Sequence, residues 1–309
     1  MVSPLPPAAV GVRVRAPAKI NLALKVGPRR RDGFHPLATV YHAVSLFDEV
    51  TVRPAEPGRF AVSVTGEGAD VVPTDDANLA LRAARLLASA FGDESTPGAL
   101  VEIEKAIPVA GGLAGGSADG AAALVACAAL WDLDIGPEQL RRVAALLGSD
   151  VPFALLGGTA VGSGRGEEVL PALARGAFHW VLGFGRQGLS TPAVYRRFDE
   201  LNPRPRPPVV PVDLMEALRA GDAAQLGAAL DNDLQPAALD LQPQLARALG
   251  AGLEHGALGA VVSGSGPTVA FLAADEPAAI DLTVALSAEG LFRTVRRASG
   301  PVSGARLLP

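Results

Sequence analysis

The run PVAGGLAGGSADG, residues 108–120, constrains this chain more than any other stretch. It follows the strand-like LVEIEKAI and precedes an alanine-rich helical run, AAALVACAALW. Four glycines within residues 111–116 free the backbone to take positive φ and to approach a ligand closely. A helix that starts after such a turn offers unpaired N–H groups and a partial positive charge, which together make an anion site. The plain alternative is a tight strand-to-helix turn, although a bare turn needs one glycine rather than four. The helix is expected to start near Ser117, whose hydroxyl can cap it or face a metal or phosphate oxygen. The loop lacks the Gly-Lys-Ser/Thr of the Walker type. The lysines of the chain are Lys19, Lys25 and Lys105, and none follows a glycine. The HRD and DFG marks of protein kinases are missing as well.

A phosphate grip must be local here, because the 309 residues carry 27 basic and 32 acidic side chains and a net charge of -5. Such a chain has no overall field to draw in nucleic acid or an anionic membrane. A hydrophobic content of 49% is ample for a sizeable core, and the length fits two domains. The single cysteine, Cys127, excludes an internal disulfide framework and reads as a small core residue. No apolar stretch reaches the ~20 residues of a membrane helix, and the start lacks the order of a signal peptide. The expected location is cytoplasmic, with no nucleic acid, membrane or obligate protein partner.

Strand-like runs come first: 12–16, 20–26, 38–47, 49–54 and 60–66, behind an N-terminal PLPPAA read as a frayed tail. A helix from Asn78, a good N-cap, to Phe91 is stopped by Gly92, and PEQLRRVAALLG reads as a helix with Pro137 in its first turn. Strands return in TAVGSG, EEVL and HWVLGF, and 202–211 is a proline-rich connection. Helices near 213–220, 222–230 and 243–255 lead to strands GAVVSG and TVAFLA, a helix over 277–288 and a last strand, RTVRRAS. Strands and helices mix without strict alternation, so the expected class is α+β. The expected domains are 10–174 and 175–309. A second glycine motif, GFGRQG (183–188), fits the dinucleotide-binding pattern, but the prolines at 203, 205, 207 and 208 interrupt the required unit.

Four further segments join the glycine loop: APAKINLALKV (16–26), RRRDGFHPLATV (29–40), GSDVPFALLGGTAVGSGRGE (148–167) and VVSGSGPTVAFLA (261–273). Together they resemble the galactokinase, homoserine, mevalonate and phosphomevalonate (GHMP) kinase superfamily. The likeness runs in order over about residues 12–273. It is nearest to members that phosphorylate the 2-hydroxyl of a cytidine-diphosphate-linked methylerythritol for non-mevalonate isoprenoid synthesis. The resemblance implies two domains with a cleft between them, ATP as co-substrate and Mg²⁺ bridging the ATP phosphates. One departure is Ala114, where many relatives carry glycine; alanine suffices there if its φ stays negative.

The resemblance also implies roles. Pro108, Val109, Ala110, Gly111, Gly112, Leu113, Ala114, Gly115, Gly116 and Ser117 would hold the ATP phosphates. Asp150 would be the general base, against a plainer role capping a turn after Gly148. Lys19, otherwise a snorkelling surface lysine, would stabilise the Asp150 carboxylate and neutralise charge at the reacting hydroxyl. Asn21 shares the strand face with Lys19 and would lie near the substrate hydroxyls or the base. Phe34 and Tyr195 would sandwich a cytosine ring, His35 would bond its edge, and Thr191 would sit by the diphosphate. SGSGPT (263–268) is a plain turn by composition and a binding loop by resemblance. His42, His179 and His255 have no assigned role, and no metal-ligand cluster is visible. The rival readings are another GHMP-type kinase of a homoserine or mevalonate kind, a non-catalytic nucleotide-binding relative, and a dinucleotide-dependent oxidoreductase resting on GFGRQG.

Overall fold

A computed structural model describes residues 11–93 and 96–309. The PLPPAA tail lies outside them. Two long strands organise the first half: β1 (Val12–Val26) and β2 (Leu37–Ala55), paired antiparallel. The sequence reads as four shorter strands because Pro17 lacks a ladder N–H and Asp48 interrupts an apolar run. The chain continues instead through register shifts at Pro17/Ala18 and Asn21/Ala23.

Strand β3 (Phe60–Gly66), helix α1 (Leu79–Phe91) and strand β4 (Gly98–Lys105) form a parallel crossover. Asn78 caps α1 as expected, its Oδ1 accepting from the N–H groups of Ala80 and Leu81. Helix α2 (Gly115–Leu130) packs across β1 and β2 and against α1. Its alanines permit the close approach, and a Cβ at Gly120 would stand 3.3 Å from that of Leu79. Helices α3 (Pro137–Leu147) and α4 (Val151–Leu156) lead to strands β5 (Thr159–Ser163) and β6 (Glu168–Pro171).

Strand β7 (Phe178–Phe184) opens a second sheet. Helices α5 (Thr191–Leu201), α6 (Val212–Ala220) and α7 (Ala223–Ala229) follow, then a two-residue strand β8 (Asp231–Asn232). Next come α8 (Gln235–Leu241), α9 (Gln244–Glu254), β9 (Gly259–Val262), β10 (Val269–Ala273), α10 (Glu276–Ala288), β11 (Thr294–Gly300) and β12 (Arg306–Leu307). Helices α4, α5 and α8 escaped the sequence reading: α4 and α8 span only 6 and 7 residues, and α5 runs into the prolines at 203, 205, 207 and 208.

The first sheet runs β12-β1-β2-β4-β3, with β5 on β2, β6 on β5 and β8 beside β1. The second runs β11-β7-β10-β9. The fold is α+β. A line at residue 174 falls between β6 and β7, yet β8 and β12 return to the first sheet. One apolar core is continuous across that line, joining Ile20, Val44 and Leu124 to Trp180, Leu182 and Phe184. The dinucleotide reading of GFGRQG fails here. Strand β7 has antiparallel neighbours on both sides, β10 and β11, so no parallel strand–helix–strand unit follows the motif.

Candidate active site

Lys19 and Asn21 project from the same face of β1, and across the pairing stand Thr39 and Tyr41 of β2. Lys19 Nζ donates to Asn21 Oδ1 at 2.6 Å; Asn21 Nδ2 donates to Thr39 Oγ1 at 2.8 Å, which donates to the Ala23 carbonyl. Lys19 is 6% exposed, which removes the snorkelling alternative. Its Nζ lies 3.8 Å from Asp150 Oδ2. Burial pulls its pKa below the ordinary lysine value, and Asp150 pushes back only in part. Asp150 precedes α4 and makes no side-chain cap, so the turn-capping alternative does not hold. Tyr41 donates its hydroxyl to Asp150 Oδ1 at 3.0 Å. Sequence reasoning passed over Tyr41 because a tyrosine among VYHAV reads as core.

The glycine loop bends above this pair. Its fit is to protein as well as to any ligand: a Cβ at Gly112, φ +79°, would stand 2.2 Å from the Ser263 carbonyl. The Ser263 hydroxyl donates to the Gly112 carbonyl, and Thr268 N–H to that of Gly111. SGSGPT is therefore seated on the glycine loop, and Asn232 of β8 holds it from behind through the Val262 and Gly264 carbonyls.

Two expectations for the loop are corrected. Helix α2 starts at Gly115, and its N-cap position is Ala114 with no side-chain cap, so Ser117 does not cap it. Ala114 has φ +58°, not a negative value, and Ala110 has φ +55°. The backbone needs left-handed geometry that glycine adopts without strain.

Beneath the loop, Lys105 at the end of β4 is clamped between Asp48 and Asp119, with Asp119 Oδ2 at 2.7 Å. Asp48 Oδ1 accepts from the N–H groups of Ala106 and Ile107, which fixes the entry to the loop. Asp119 Oδ1 is buried without a partner. Burial raises the Asp119 pKa to about 8, Lys105 opposing and Asp48 adding to the rise. Asp48 accepts three hydrogen bonds where Asp119 accepts one, so Asp119 is the less compensated carboxyl of the two.

A cavity of about 1040 Å³ connects these parts. Lys19, Asn21, Tyr41 and Asp150 line it together with Pro108–Gly112 and Ala114–Gly116. Leu113 is buried instead, its carbonyl accepting from Lys19 N–H, and Ser117 does not line the cavity. Phe34, His35, Thr191 and Tyr195 line the same cavity. The rings of His35 and Tyr195 lie 5.1 Å apart, and Asp199 holds His35 Nε2 at 2.8 Å. Phe34 is 51% exposed, with the Arg165 guanidinium 5.0 Å from its ring centroid. Thr191 Oγ1 and Ser265 Oγ are 2.7 Å apart, tying α5 to the SGSGPT loop. Asp199 and Arg165 carry no sequence mark of their own; the fold brings them to His35 and Phe34.

Residues 78–158 match the family model for the GHMP kinases N-terminal domain, and 214–290 match the model for the GHMP kinases C-terminal domain. A 4-diphosphocytidyl-2-C-methyl-D-erythritol kinase of Mycolicibacterium gilvum is 55% identical over 303 residues, covering 96% of this chain and 93% of the relative. The protein of that name from Rhodococcus jostii is 56% identical over 299 residues, covering 96% and 95%. A crystal structure of 4-(cytidine 5'-diphospho)-2C-methyl-D-erythritol kinase superposes with a TM-score of 0.76 at 33% identity, covering 93% of this chain and 98% of that one. A homoserine kinase from Cytophaga hutchinsonii shares the fold, with a TM-score of 0.74 at 19% identity. With its glycine loop, its Lys19–Asp150 pair and these relatives, the chain belongs to the GHMP kinase family.

Proposed function

We propose that this kinase transfers the γ-phosphoryl group of ATP to the 2-hydroxyl of 4-diphosphocytidyl-2-C-methyl-D-erythritol, giving ADP and the 2-phosphate. The observation that carries the reading is one cavity lined by two chemically different sets of groups. A glycine loop and the Lys19–Asp150 pair form one set, and the aromatic side chains Phe34 and Tyr195 the other. A homoserine- or mevalonate-sized substrate offers nothing for Phe34 and Tyr195 to stack on.

Phosphoryl transfer asks a protein for positioning and charge neutralisation. Backbone N–H groups of residues 109–112 and the start of α2 meet the phosphates. Asp150 takes the proton as the substrate oxygen bonds to the γ-phosphorus and the bond to the ADP oxygen breaks. Lys19, 3.8 Å from the carboxylate, offsets the charge that develops. Among the described residues no three His, Cys, Asp or Glu side chains converge on a metal site. Mg²⁺ fits as an ion carried on the ATP phosphates, with the orphaned Asp119 Oδ1 as the protein oxygen that would hold it. Bound there, it would neutralise phosphate charge. We place the enzyme in the cytoplasm; among the described residues no helix is long and apolar enough to cross a membrane.

The test is ADP release against a panel of cytidylyl-methylerythritol, homoserine, mevalonate and galactose, with Phe34→Ala and Tyr195→Ala beside wild type. Base stacking worth about 1–3 kcal/mol predicts a 5- to 150-fold weaker Kd for the cytidylyl substrate in either variant, at about 1.4 kcal/mol per decade. ATP affinity should hold. An unchanged substrate Kd would reject the cytidine assignment.

A further inference from the structure

Asp150 meets two donors, and they touch different oxygens. Lys19 Nζ approaches Oδ2 at 3.8 Å, while the Tyr41 hydroxyl donates to Oδ1 at 3.0 Å. Tyr41 is 2% exposed, and its ring stacks on Phe153 of α4 with centroids 4.8 Å apart. The stack fixes the ring. The same hydroxyl lies 3.4 Å from the Gly166 carbonyl in the turn between β5 and β6. That turn also carries Arg165, the guanidinium above Phe34. Tyr41 thus bridges the Asp150 carboxylate and the turn that carries Arg165.

We infer that Tyr41 is a positioning residue for phosphoryl transfer: its hydroxyl pins Oδ1 of Asp150 and leaves Oδ2, the oxygen beside Lys19, to take the substrate proton. The inference rests on Asp150 being the base. A phenylalanine would satisfy the packing against Phe153 equally, so the hydroxyl is what the packing leaves unexplained. Burial, and then Asp150 itself, raise the Tyr41 pKa well above its ordinary value, so the phenol stays a neutral donor. The other groups facing this carboxylate are Lys19 from β1 and Tyr195 from α5. Glu167 of the β5–β6 turn acts on the Tyr41 hydroxyl, and Arg165 of the same turn binds Glu167. Tyr41 is the one that hydrogen-bonds Oδ1.

Gly166 offers an independent handle. Its φ is +108°, and a Cβ there would stand 2.3 Å from the Tyr41 hydroxyl oxygen. The hydroxyl reaches Asp150 across a bare backbone.

The experiment is Tyr41→Phe, which keeps the ring and its stack. A carboxylate no longer held in orientation predicts about a tenfold lower kcat, with KM for both substrates held within about twofold. The acid limb of the kcat profile should move to higher pH, because a carboxylate that loses a donor to its charged form binds a proton more readily. A structural role would lower stability and leave that limb in place. Gly166→Ala should lower kcat in wild type and cost little more on top of Tyr41→Phe. Equal losses in both backgrounds would mean backbone strain, and would overturn the role, as would an unchanged kcat and pH profile in Tyr41→Phe. Asp150→Asn is assayed alongside. Its expected loss with an unaffected Tyr41→Phe rejects Tyr41 alone, whereas near-normal turnover of Asp150→Asn rejects the base and this inference with it.

Discussion

Two lysines lie buried within this one site, and their surroundings are opposite. Lys19 meets one carboxylate, at 3.8 Å and partly open to the cavity. Burial wins, and its pKa falls. Lys105 is held between Asp48 and Asp119; burial works against its charge, but the two carboxylates outweigh it and its pKa rises. The same residue type at about the same exposure, 6% and 5%, is left under-compensated in one place and over-compensated in the other. An under-compensated lysine has attraction to spare for charge that arrives with a substrate. An over-compensated one is spent on its neighbours, here holding the floor of the glycine loop. A Cβ on Gly115 would come 3.3 Å from Lys105 Nζ, so the clamp sits directly beneath the start of α2.

The comparison breaks most readily in paired substitutions. Lys105→Met leaves the buried Asp48 and Asp119 side chains without their cation and should cost about 3–5 kcal/mol of stability in denaturant titration. Lys19→Met should lower kcat by about 10²–10³-fold, as loss of a donor to developing charge does, with stability little changed. If Lys19→Met proves as destabilising as Lys105→Met and spares kcat, the two lysines are the same kind of group and the contrast is void.

The pH dependence sharpens it. Asp119 has a folded pKa near 8, above the ordinary carboxylate value of 3.8. Between those values the folded state holds a proton that the unfolded state has lost, so stability from this group is present in acid and lost as pH rises through about 8. Lys19 has the opposite sign: its lowered pKa makes stability rise with pH as the ordinary lysine range is approached. Asp119→Asn fixes the neutral form, so from pH 5 to 9 wild type should lose stability relative to the variant. Parallel curves would show that Asp119 holds no extra proton.

How much of this the sequence shows differs between the two lysines. Lys19 stands out in PAKINL because one charge interrupts an apolar strand, and Asp150 is the lone carboxylate of SDVPF. The loop declares itself by its glycines, and the α+β class by its mixed elements. Lys105 looks like the charged end of an amphipathic strand. Its partners lie 57 residues before it and 14 after it, so the clamp exists only once β2, β4 and α2 are packed. Tyr41 meets Asp150 through the shifted register of β1 on β2 and the position of α4, neither of which has a local mark. The sign of φ at Ala114 went wrong for a similar reason: propensity argues for negative φ, and tertiary packing imposes the positive one.

That alanine gives the smallest test of the comparison. An L-residue in left-handed geometry costs about 1–2 kcal/mol, and such strain persists where the surroundings over-determine it. Lys105 and its carboxylates are the surroundings here, since Asp48 fixes the entry to the loop and Asp119 stands in the first turns of α2. Gly112 differs, because its Cβ would strike the Ser263 carbonyl at 2.2 Å, so glycine is required there by contact as well as by φ. Ala114→Gly should therefore stabilise the protein by about 1 kcal/mol, the relief of strain exceeding the entropy that glycine adds to the unfolded chain. Made on top of Lys105→Met, the substitution should gain less, because a loop released from its clamp lets Ala114 relax on its own. An equal gain in both backgrounds, read from denaturant midpoints at constant m-value, would show that the clamp does not impose the strain. Lys105 would then be a buried ion pair beside the loop rather than the group that shapes it.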